Sequence, residues 1–307
     1  MKKVILKDKN QLQKFFKTVK EPLADTTFTM RYVWAEPLRH RWAIINNNLC
    51  FFGFFKDRYV LWGHPIGGNK PIETLIDCFN IVKRLNENEG IKTKPIAIYI
   101  PEEFKDEHIS TAVKNGFTFG YWTQDYIYTS KDLIQLKSKK YKSKRNLVNI
   151  FARNENISVE EFNFEKHSNE CLKLIDLWRQ RKEDVINEID KYALDTETNA
   201  AKKLVRFSNH LGVKGIILKS DEKLIGVSLG EPLNDEMCSN IMEKTNNVFR
   251  GASEFIFREF EEGSAMILNA DEVTSIFHFP ISSTDIPRIK SVKARESAPP
   301  VAMPKSG

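Results

Sequence analysis

Cysteine is scarce in this sequence, and several common catalytic motifs are missing. The 307 residues include four cysteines, Cys50, Cys78, Cys171 and Cys238, with no CxxC pair. This spacing argues against a structural zinc site and a disulfide framework, and it favours a reducing cytoplasm. The motifs HExxH and GxxxxGK(S/T) do not occur, and the GxSxG match at 226–230 lies in a segment predicted as a strand, not at the strand-to-helix turn of a nucleophile elbow. Metal catalysis and serine hydrolysis therefore have no support, and we expect no metal site.

Long apolar runs are also missing. The longest, at 49–55 and 96–100, are far shorter than the roughly 20 residues that a transmembrane helix needs. The N-terminal segment lacks the apolar core and the cleavage site of a signal peptide. We therefore expect no transmembrane segment and no export. With 41% hydrophobic and 29% charged residues the chain is globular, and its length favours two domains.

Positive charge is concentrated in one segment, residues 136–153. This segment contains seven basic residues and no Asp or Glu, whereas the whole chain carries 47 basic and 41 acidic residues. Leu147, Val148, Ile150 and Phe151 lie at helical spacing, which predicts a helix with these residues on the core and its charges in solvent. Such a surface fits an anionic partner, either phosphate-rich RNA or an acidic lipid surface. The alternative is a helix face that is only solvated.

We expect the start of this segment to contact phosphate groups. The residues of this basic patch are Lys137, Lys139, Lys140, Tyr141, Lys142, Lys144 and Arg145. The basic side chains would neutralise phosphates, and Tyr141 would stack on a base.

Apolar periodicity predicts alternating strands and helices along the chain. In the first half, we expect helices at 72–85 and 102–115 and strands at 28–34, 49–55, 59–62, 95–100 and 120–129. After the basic helix, we expect helices around 171–178, 201–211 and 250–262 and extended segments at 159–164, 215–219, 224–229 and 237–243.

This order predicts two α/β units of similar plan, at 1–135 and 136–263. Residues 264–307 form an atypical C-terminal extension. Its apolar residues at 275–279 favour one short edge strand, and its Pro-rich end predicts disorder from about residue 294.

Three runs of sequence, in this order, carry a family resemblance. They are KDLIQLKSKKYKSKRNLVNIF, GVKGIILKSDEKLIGVSLGEPL and IMEKTNNVFRGASEFIFREFE. Together they resemble the phosphatidylglycerol lysyltransferase C-terminal domain family over about residues 15–263, and the tail departs from the family after about Gly263. The resemblance implies an α/β (α+β) fold of two tandem GNAT-like acyltransferase units, with mixed, mainly antiparallel sheets flanked by helices.

The resemblance also implies a function. Characterised relatives transfer an aminoacyl group from aminoacyl-tRNA to the hydroxyl of an anionic lipid. We therefore expect an aminoacyl- or acyltransferase with aminoacyl-tRNA or acyl-CoA as donor, and with tRNA and an anionic lipid surface as partners. The expected location is the cytoplasm or the inner membrane surface. An acetyl-CoA-dependent N-acetyltransferase and a non-catalytic RNA or anionic-surface binding module remain as alternatives, and the oligomeric state stays open.

Candidate site residues lie where a strand runs into a helix. Glu243 and Lys244 end the strand, and Arg250, Gly251 and Ala252 begin a helix whose backbone N–H groups favour an anion. We expect the acyl donor to be held by Lys244, Arg250, Gly251 and Ala252. Because Gly251 has no side chain, it would let the donor approach the backbone closely. The variant Gly251→Val is then expected to lose donor binding while the fold stays largely intact. The alternative is an ordinary cap and turn.

Glu231 is a second candidate for the general base or the amine-binding carboxylate. Gly230 and Pro232 on either side predict a kinked backbone that aims its side chain into a cleft. A solvated carboxylate at a strand end is the alternative. We expect either Glu231 or Glu243 to handle the amine or the proton.

Overall fold

The computed structural model describes residues 1–20, 22–120, 126–154, 156–183, 188–268, 274–277 and 303–304. The chain divides into two compact units, residues 126–294 and residues 1–125 together with 295–307. The second unit begins before residue 136, the boundary expected from the sequence, because residues 126–129 are a strand of its sheet. The disorder predicted from about residue 294 falls outside the described residues, apart from a short strand at 303–304.

The sheet of the first unit is mainly antiparallel. Its five strands are Lys2–Lys3 (β1), Arg41–Ile45 (β2), Asn48–Phe55 (β3), Arg58–Trp62 (β4) and Ala97–Ile98 (β5). They lie in this order, and neighbours pair antiparallel except β4 and β5, which are parallel. The strands predicted at 49–55 and 59–62 are confirmed, and the one predicted at 95–100 is shorter than expected. A further short strand, Phe117–Thr118 (β6), lies outside this sheet.

The helices described in the first unit are Lys9–Phe16 (α1), Phe28–Val33 (α2), Pro71–Asn88 (α3) and Glu102–Lys114 (α4). Helix α3 connects β4 to β5, and its apolar face shares one core with residues of β3, β4 and β5. Pro71 begins α3, and Gly116 follows α4 with φ +85°, so the helices predicted at 72–85 and 102–115 are confirmed.

Residues 28–33 form a helix, so the strand predicted at 28–34 is wrong. The side-chain oxygen of Thr27 caps this helix, because it accepts a 3.1 Å hydrogen bond from the Met30 N–H. All six residues of α2 are buried. A segment that is buried on every side lacks the alternation by which a sequence distinguishes a strand from a buried helix.

The second unit contains a six-stranded sheet. Its strands are Tyr126–Thr129 (β7), Ile157–Glu161 (β8), Lys214–Ser220 (β9), Lys223–Pro232 (β10), Met237–Thr245 (β11) and Thr274–Phe277 (β12). The spatial order is β7-β12-β11-β10-β9-β8. The three strands predicted between 215 and 243 are confirmed. A strand is present close to the predicted 275–279, but it is not an edge strand. β12 lies between β7 and β11, and it is parallel to β11.

The helices described in the second unit are Ser130–Gln135 (α5), Lys142–Phe151 (α6), Phe164–Glu183 (α7), Glu188–Leu211 (α8) and Ala252–Leu268 (α9). The predicted apolar faces of α7 and α8 are confirmed, since Ile175 and Val205 at their centres are fully buried. Helix α9 contacts β9, β10 and β11 and runs past residue 262, the end that the sequence predicted. Both units are thus mixed, mainly antiparallel sheets flanked by helices.

Two further findings concern the part of the chain that the structure describes. No helix there is long and apolar enough to cross a membrane, and no group of three or more metal-binding side chains occurs there. The last described strand, Met303–Pro304 (β13), pairs antiparallel with β6 of the first unit.

Candidate functional site

The C-terminal half of β11 departs from a regular strand ladder. β11 pairs with the described residues of β12 only from Met237 to Asn240. On its other side, Leu229 of β10 faces Met242 and the next residue of β10 faces Asn240, so Ile241 has no register partner on β10. This is a β-bulge, a feature that redirects side chains and often lies next to functional sites.

Glu243 lies just after this bulge and faces α9. Ser253 Oγ, in the first turn of α9, donates a 2.6 Å hydrogen bond to Glu243 Oε1. Burial raises the pKa of Glu243 to about 7, and the charge of Glu254 adds to this rise, while the Ser253 hydrogen bond and the charges of Lys244 and Lys144 oppose it. A carboxyl group with this pKa gains and loses its proton near neutral pH, which suits a general base.

An ion pair lies beside Glu243. Lys144 Nζ of α6 is 2.8 Å from Glu254 Oε1 of α9, and each side chain is 14% exposed. The pair joins α6 to the start of α9. Lys144, predicted to bind a polyanion, is therefore engaged within the unit.

A buried polar pair continues along the same face of the sheet. Ser228 of β10 is the register partner of Glu243, and directly paired residues share a face. Asn240 Nδ2 donates a 2.9 Å hydrogen bond to Ser228 Oγ, and both residues are buried. The face of the sheet under α9 therefore carries polar groups in an otherwise apolar layer.

Lys244 lies on the opposite face of β11. Its Nζ is 2.5 Å from Glu197 Oε1 of α8 and 3.6 Å from the centre of the Trp178 ring of α7. Successive residues of a strand point to opposite faces, so α9 covers one face of β11, and α7 and α8 cover the other. The ammonium group of Lys244 therefore stabilises the packing of α7 and α8 on the sheet. The structure does not bring it together with the carboxyl group of Glu243.

Gly251 is required by the packing of α6 against α9. Its φ is +89°, and a Cβ built on it would lie 2.2 Å from the carbonyl oxygen of Leu147 and 2.9 Å from its carbonyl carbon. The group that approaches Gly251 is therefore the backbone of α6. The expectation that Gly251→Val would leave the fold largely intact is wrong, because the side chain would meet main-chain atoms and the positive φ disfavours any residue with a Cβ.

The residues on either side of Gly251 differ in exposure. Arg250 is exposed, whereas Ala252 is buried in an apolar cluster and its backbone N–H donates a 3.1 Å hydrogen bond to the Phe249 carbonyl. Upstream, Asn246 Oδ1 accepts a 3.2 Å hydrogen bond from the Val248 N–H. These N–H groups are used within the turn itself.

Glu231 and Glu243 lie on opposite faces of the sheet. Gly230 faces α9, because a Cβ there would lie 2.7 Å from the Phe260 ring. Its neighbour Glu231 therefore points away from α9, and its register partner is Ser239. Of the two carboxylates predicted as general base, Glu243 is the one at the junction of β11 and α9.

The basic patch begins with a 3-10 turn at Lys139–Tyr141, and α6 follows it. Tyr141 is 1% exposed, in an apolar cluster with Tyr128 and Leu133. The prediction that Tyr141 stacks on a base is therefore wrong, because its ring is part of the core. The helix is anchored by Val148 and Phe151, as predicted, but Ile150 is 41% exposed.

The basic residues of the patch fall into two groups. Arg145 Nη1 donates a hydrogen bond to the Leu136 carbonyl, so Arg145, like Lys144, is engaged within the unit. Lys140 Nζ lies 3.4 Å from Asp132 Oδ2, but Lys140 is still exposed to solvent. The lysines of the patch that are exposed are Lys137, Lys139, Lys140 and Lys142. These four side chains carry the charge that solvent and a partner can reach.

The sequence matches the family described as phosphatidylglycerol lysyltransferase, C-terminal, over residues 16–278. The chain belongs to the phosphatidylglycerol lysyltransferase C-terminal family. The match extends past residue 263, where the resemblance was expected to end, and it includes β12. The family domain therefore contains the strand that completes the second sheet between β11 and β7. No curated protein matches the sequence significantly.

Solved structures have the same fold over nearly the whole chain. A conserved protein of unknown function from Bacteroides thetaiotaomicron VPI-5482 has a TM-score of 0.79 at 20% identity, and the similarity covers 99% of each chain. L-PGS from Bacillus licheniformis has a TM-score of 0.62 at 14% identity, over 97% of this chain and 92% of that one. At these identities the comparison shows the fold alone, and the expected architecture of two units with mixed, mainly antiparallel sheets flanked by helices is confirmed.

Several contacts of the junction were not predicted from the sequence. Lys144 and Glu254 are 110 residues apart, and Lys244 and Glu197 are 47 residues apart, so no local spacing could reveal either pair. Ser253 could have been found, because it follows the first residue of a helix that begins soon after Glu243.

Proposed function

We propose that this protein is an acyltransferase of the aminoacyl-transferring kind, with Glu243 as its general base. The observation that carries the proposal is the setting of Glu243 beside the bulge of β11. Its pKa is raised to about 7, and Ser253 Oγ binds its Oε1 at 2.6 Å. Membership of a family named for lysyl transfer supports this class of reaction.

The proposed reaction moves an acyl group from an activated ester to a hydroxyl or amine. The acceptor oxygen or nitrogen attacks the carbonyl carbon, and its proton passes to Glu243. The tetrahedral intermediate then loses the alcohol of the donor, which takes that proton from Glu243. A new C–O or C–N bond replaces the ester C–O bond, and Glu243 returns to its ionised form. Ser253 would keep Oε1 in place while Oε2 faces the acceptor.

An aminoacyl-tRNA fits the second unit better than an acyl-CoA. The exposed lysines of the basic patch suit the many phosphates of an RNA. A CoA pyrophosphate would need room at the junction, where the Leu147 backbone lies against Gly251 and the Glu254 carboxylate occupies the first turn of α9. We therefore favour aminoacyl-tRNA as donor over acetyl-CoA.

An anionic lipid is the acceptor class that the family name supports. The same exposed lysines would attract the protein to a negatively charged membrane surface, at about 1 kcal/mol for each lysine near the lipid headgroups. We therefore propose that the protein acts at the inner membrane surface, as a peripheral enzyme whose donor arrives from the cytoplasm.

A transfer assay with two donors tests this function. The full-length protein is mixed with tRNA that carries labelled amino acids, or with labelled acetyl-CoA, together with vesicles of phosphatidylglycerol or of neutral phosphatidylcholine. The proposal expects label from the tRNA in phosphatidylglycerol, and none with Glu243→Gln. Glu236→Gln, which changes an exposed carboxylate just before β11, is the matched control and should remain active.

The other outcomes of this assay separate the alternatives. Label transferred from acetyl-CoA alone would support an N-acetyltransferase. No transfer from either donor, by a folded protein that still binds RNA or anionic vesicles, would support a non-catalytic binding module.

A further inference from the structure

The first unit contains a second buried polar cluster, which the proposed reaction does not use. Asp25 Oδ2 accepts a 2.8 Å hydrogen bond from Trp62 Nε1 and lies 2.8 Å from Arg31 Nη1. Trp62 is the last residue of β4. Tyr99 directly follows β5, and its ring stacks on Trp62 with the ring centres 5.4 Å apart. The cluster therefore lies at the C-terminal ends of the two parallel strands.

Arg31 is the member of this cluster with unused hydrogen-bonding capacity. Arg31 is 3% exposed, and its guanidinium lies 4.8 Å from the centre of the Phe51 ring. Asp25 is its counterion, with Oδ2 2.8 Å from Nη1, but neither Nε nor Nη1 of Arg31 makes a well-aligned hydrogen bond among the described residues. A buried donor without an acceptor costs about 1–3 kcal/mol. Such a donor is rare in a folded protein unless a ligand, an ion or water completes it.

The backbone next to Arg31 leaves a small space beside the guanidinium. Gly63 has φ +88°, and a Cβ built on it would lie 3.5 Å from Arg31 Nη2 and 3.9 Å from the Tyr99 carbonyl oxygen. These are ordinary contact distances, so the absent side chain leaves a methyl-sized space beside the guanidinium. Tyr99 itself has φ +58°, a strained conformation that is found more often at binding sites than elsewhere.

The charge of Arg31 reaches residues that are partly open to solvent. Tyr99 and His64 are both half-buried. Burial lowers the pKa of His64 to about 4, and the positive charge of Arg31 is the next largest cause of that shift. Arg31 therefore acts electrostatically on His64, in the segment that follows β4. In open α/β sheets, ligands bind in the crevice outside the carboxyl ends of parallel strands.

We propose that Arg31 binds a small oxyanion, a carboxylate or a phosphate group, at the C-terminal ends of β4 and β5. Arg31 Nε supplies a charge-assisted hydrogen bond to an oxygen of the ligand, and Asp25 fixes the guanidinium through Nη1. The Phe51 ring covers the guanidinium, and the burial of Arg31 strengthens its attraction for an anion. All of these residues belong to the first unit, whereas Glu243 belongs to the second.

The Nε–H resonance of Arg31 reports on this site directly. The full-length protein, labelled with ¹⁵N-arginine, is titrated with sodium phosphate and separately with sodium acetate. Sodium chloride at equal ionic strength is the control. We expect at least one of the two oxyanions to shift the Arg31 Nε–H signal saturably, and chloride to leave it in place. The Trp62 Nε1–H, which is bonded to Asp25, serves as a second reporter. The anion that gives the shift identifies the chemical class of the ligand.

Two variants separate this site from general attraction to basic residues. Arg31→Lys keeps a positive charge beside Asp25 but loses the guanidinium, so calorimetry should show at least about a tenfold loss of affinity. A triple change of Lys137, Lys139 and Lys142 to Ala in the basic patch should leave that affinity unchanged.

The titration of the wild-type protein can overturn the proposal even if Arg31→Lys does not fold. An Arg31 Nε–H signal that neither oxyanion moves, or that chloride moves equally, would show that the cluster is only structural. If affinity is lost in the triple alanine variant of the basic patch but kept in Arg31→Lys, the anion binds to the basic patch. Neither result depends on aminoacyl transfer, so the inference can fail while the proposed function holds.

Discussion

Ser253 Oγ donates a 2.6 Å hydrogen bond to Glu243 Oε1, and this bond joins the first turn of α9 to the end of β11. It holds the carboxyl group in one orientation, while burial keeps its pKa near 7. The pair therefore combines a fixed position with a proton affinity suited to neutral pH. The proposed chemistry depends on both properties.

Glu243 should make the protein less stable as the pH rises. Its folded-state pKa of about 7 lies above the ordinary value of 4.5, so the folded protein binds more protons between these two values. The contribution of Glu243 to the free energy of unfolding therefore falls from about pH 4.5 to about pH 7 and is level above that. In the wild type, Glu243 should lower the free energy of unfolding by on the order of 1–3 kcal/mol between about pH 5 and about pH 8. Glu243→Gln should abolish this decrease, as measured by urea denaturation at each pH. An unchanged pH dependence would mean that this carboxyl group is solvated.

Gly251→Ala should destabilise the protein by about 2–4 kcal/mol, because its Cβ would meet the Leu147 backbone at a positive φ. Gly263→Ala, within α9, is the control, since no atom lies within 4 Å of a Cβ there. The control should be neutral or stabilising by up to about 1 kcal/mol. Thermal denaturation of both variants measures the difference, and equal effects would refute the close approach of α6.

Lys244 and Glu197 should be energetically coupled. A double-mutant cycle of Lys244→Met and Glu197→Gln should give a coupling energy of about 1–3 kcal/mol, because the Lys244 side chain is only 9% exposed. The more exposed pair of Lys219 and Glu160 should give a smaller coupling energy. Both cycles are measured by chemical denaturation. Additive effects at Lys244 and Glu197 would contradict the pairing.

The exposed lysines should dominate binding to polyanions. Changing Lys137, Lys139 and Lys142 to Glu should weaken binding to tRNA and to anionic vesicles by at least about tenfold, and wild-type affinity should fall with added salt. A control with the same change of charge replaces the exposed Lys166, Lys173 and Lys223 by Glu. Fluorescence anisotropy for tRNA and vesicle sedimentation provide the affinities. A similar loss in both variants would mean that only net charge matters.

Much of the fold could be predicted because most elements have one buried face. The apolar residues of α7 and α8 and the antiparallel run from β9 to β11 have periods that identify them directly. α2 was missed because it is buried all round. The place of β12 was missed because it depends on the pairing of β12 with β11 on one side and with β7 on the other, and β7 is distant in sequence.

The site was only partly predictable for a similar reason. Glu243 and Gly251 were identified from local sequence, but their partners come from elsewhere in the fold. The position next to Gly251, where a ligand was expected, is filled by the Leu147 backbone of α6. Tyr141 was assigned to the surface because lysines surround it, yet it completes the core under α9. Local charge does not reveal which side chains the tertiary structure buries.

The proposed role of Glu243 as general base requires that the rate of acyl transfer depend on its ionisation. Single-turnover rates of transfer from aminoacyl-tRNA, measured between about pH 5 and about pH 9 for the wild type and for Glu243→Gln, test it most directly. The wild-type rate should rise by about tenfold per pH unit below about pH 7 and then level off, as the carboxyl group with that pKa ionises. The variant should be slower by at least about 100-fold and should lack this rise. A variant with the wild-type rate and the same pH profile would contradict the account.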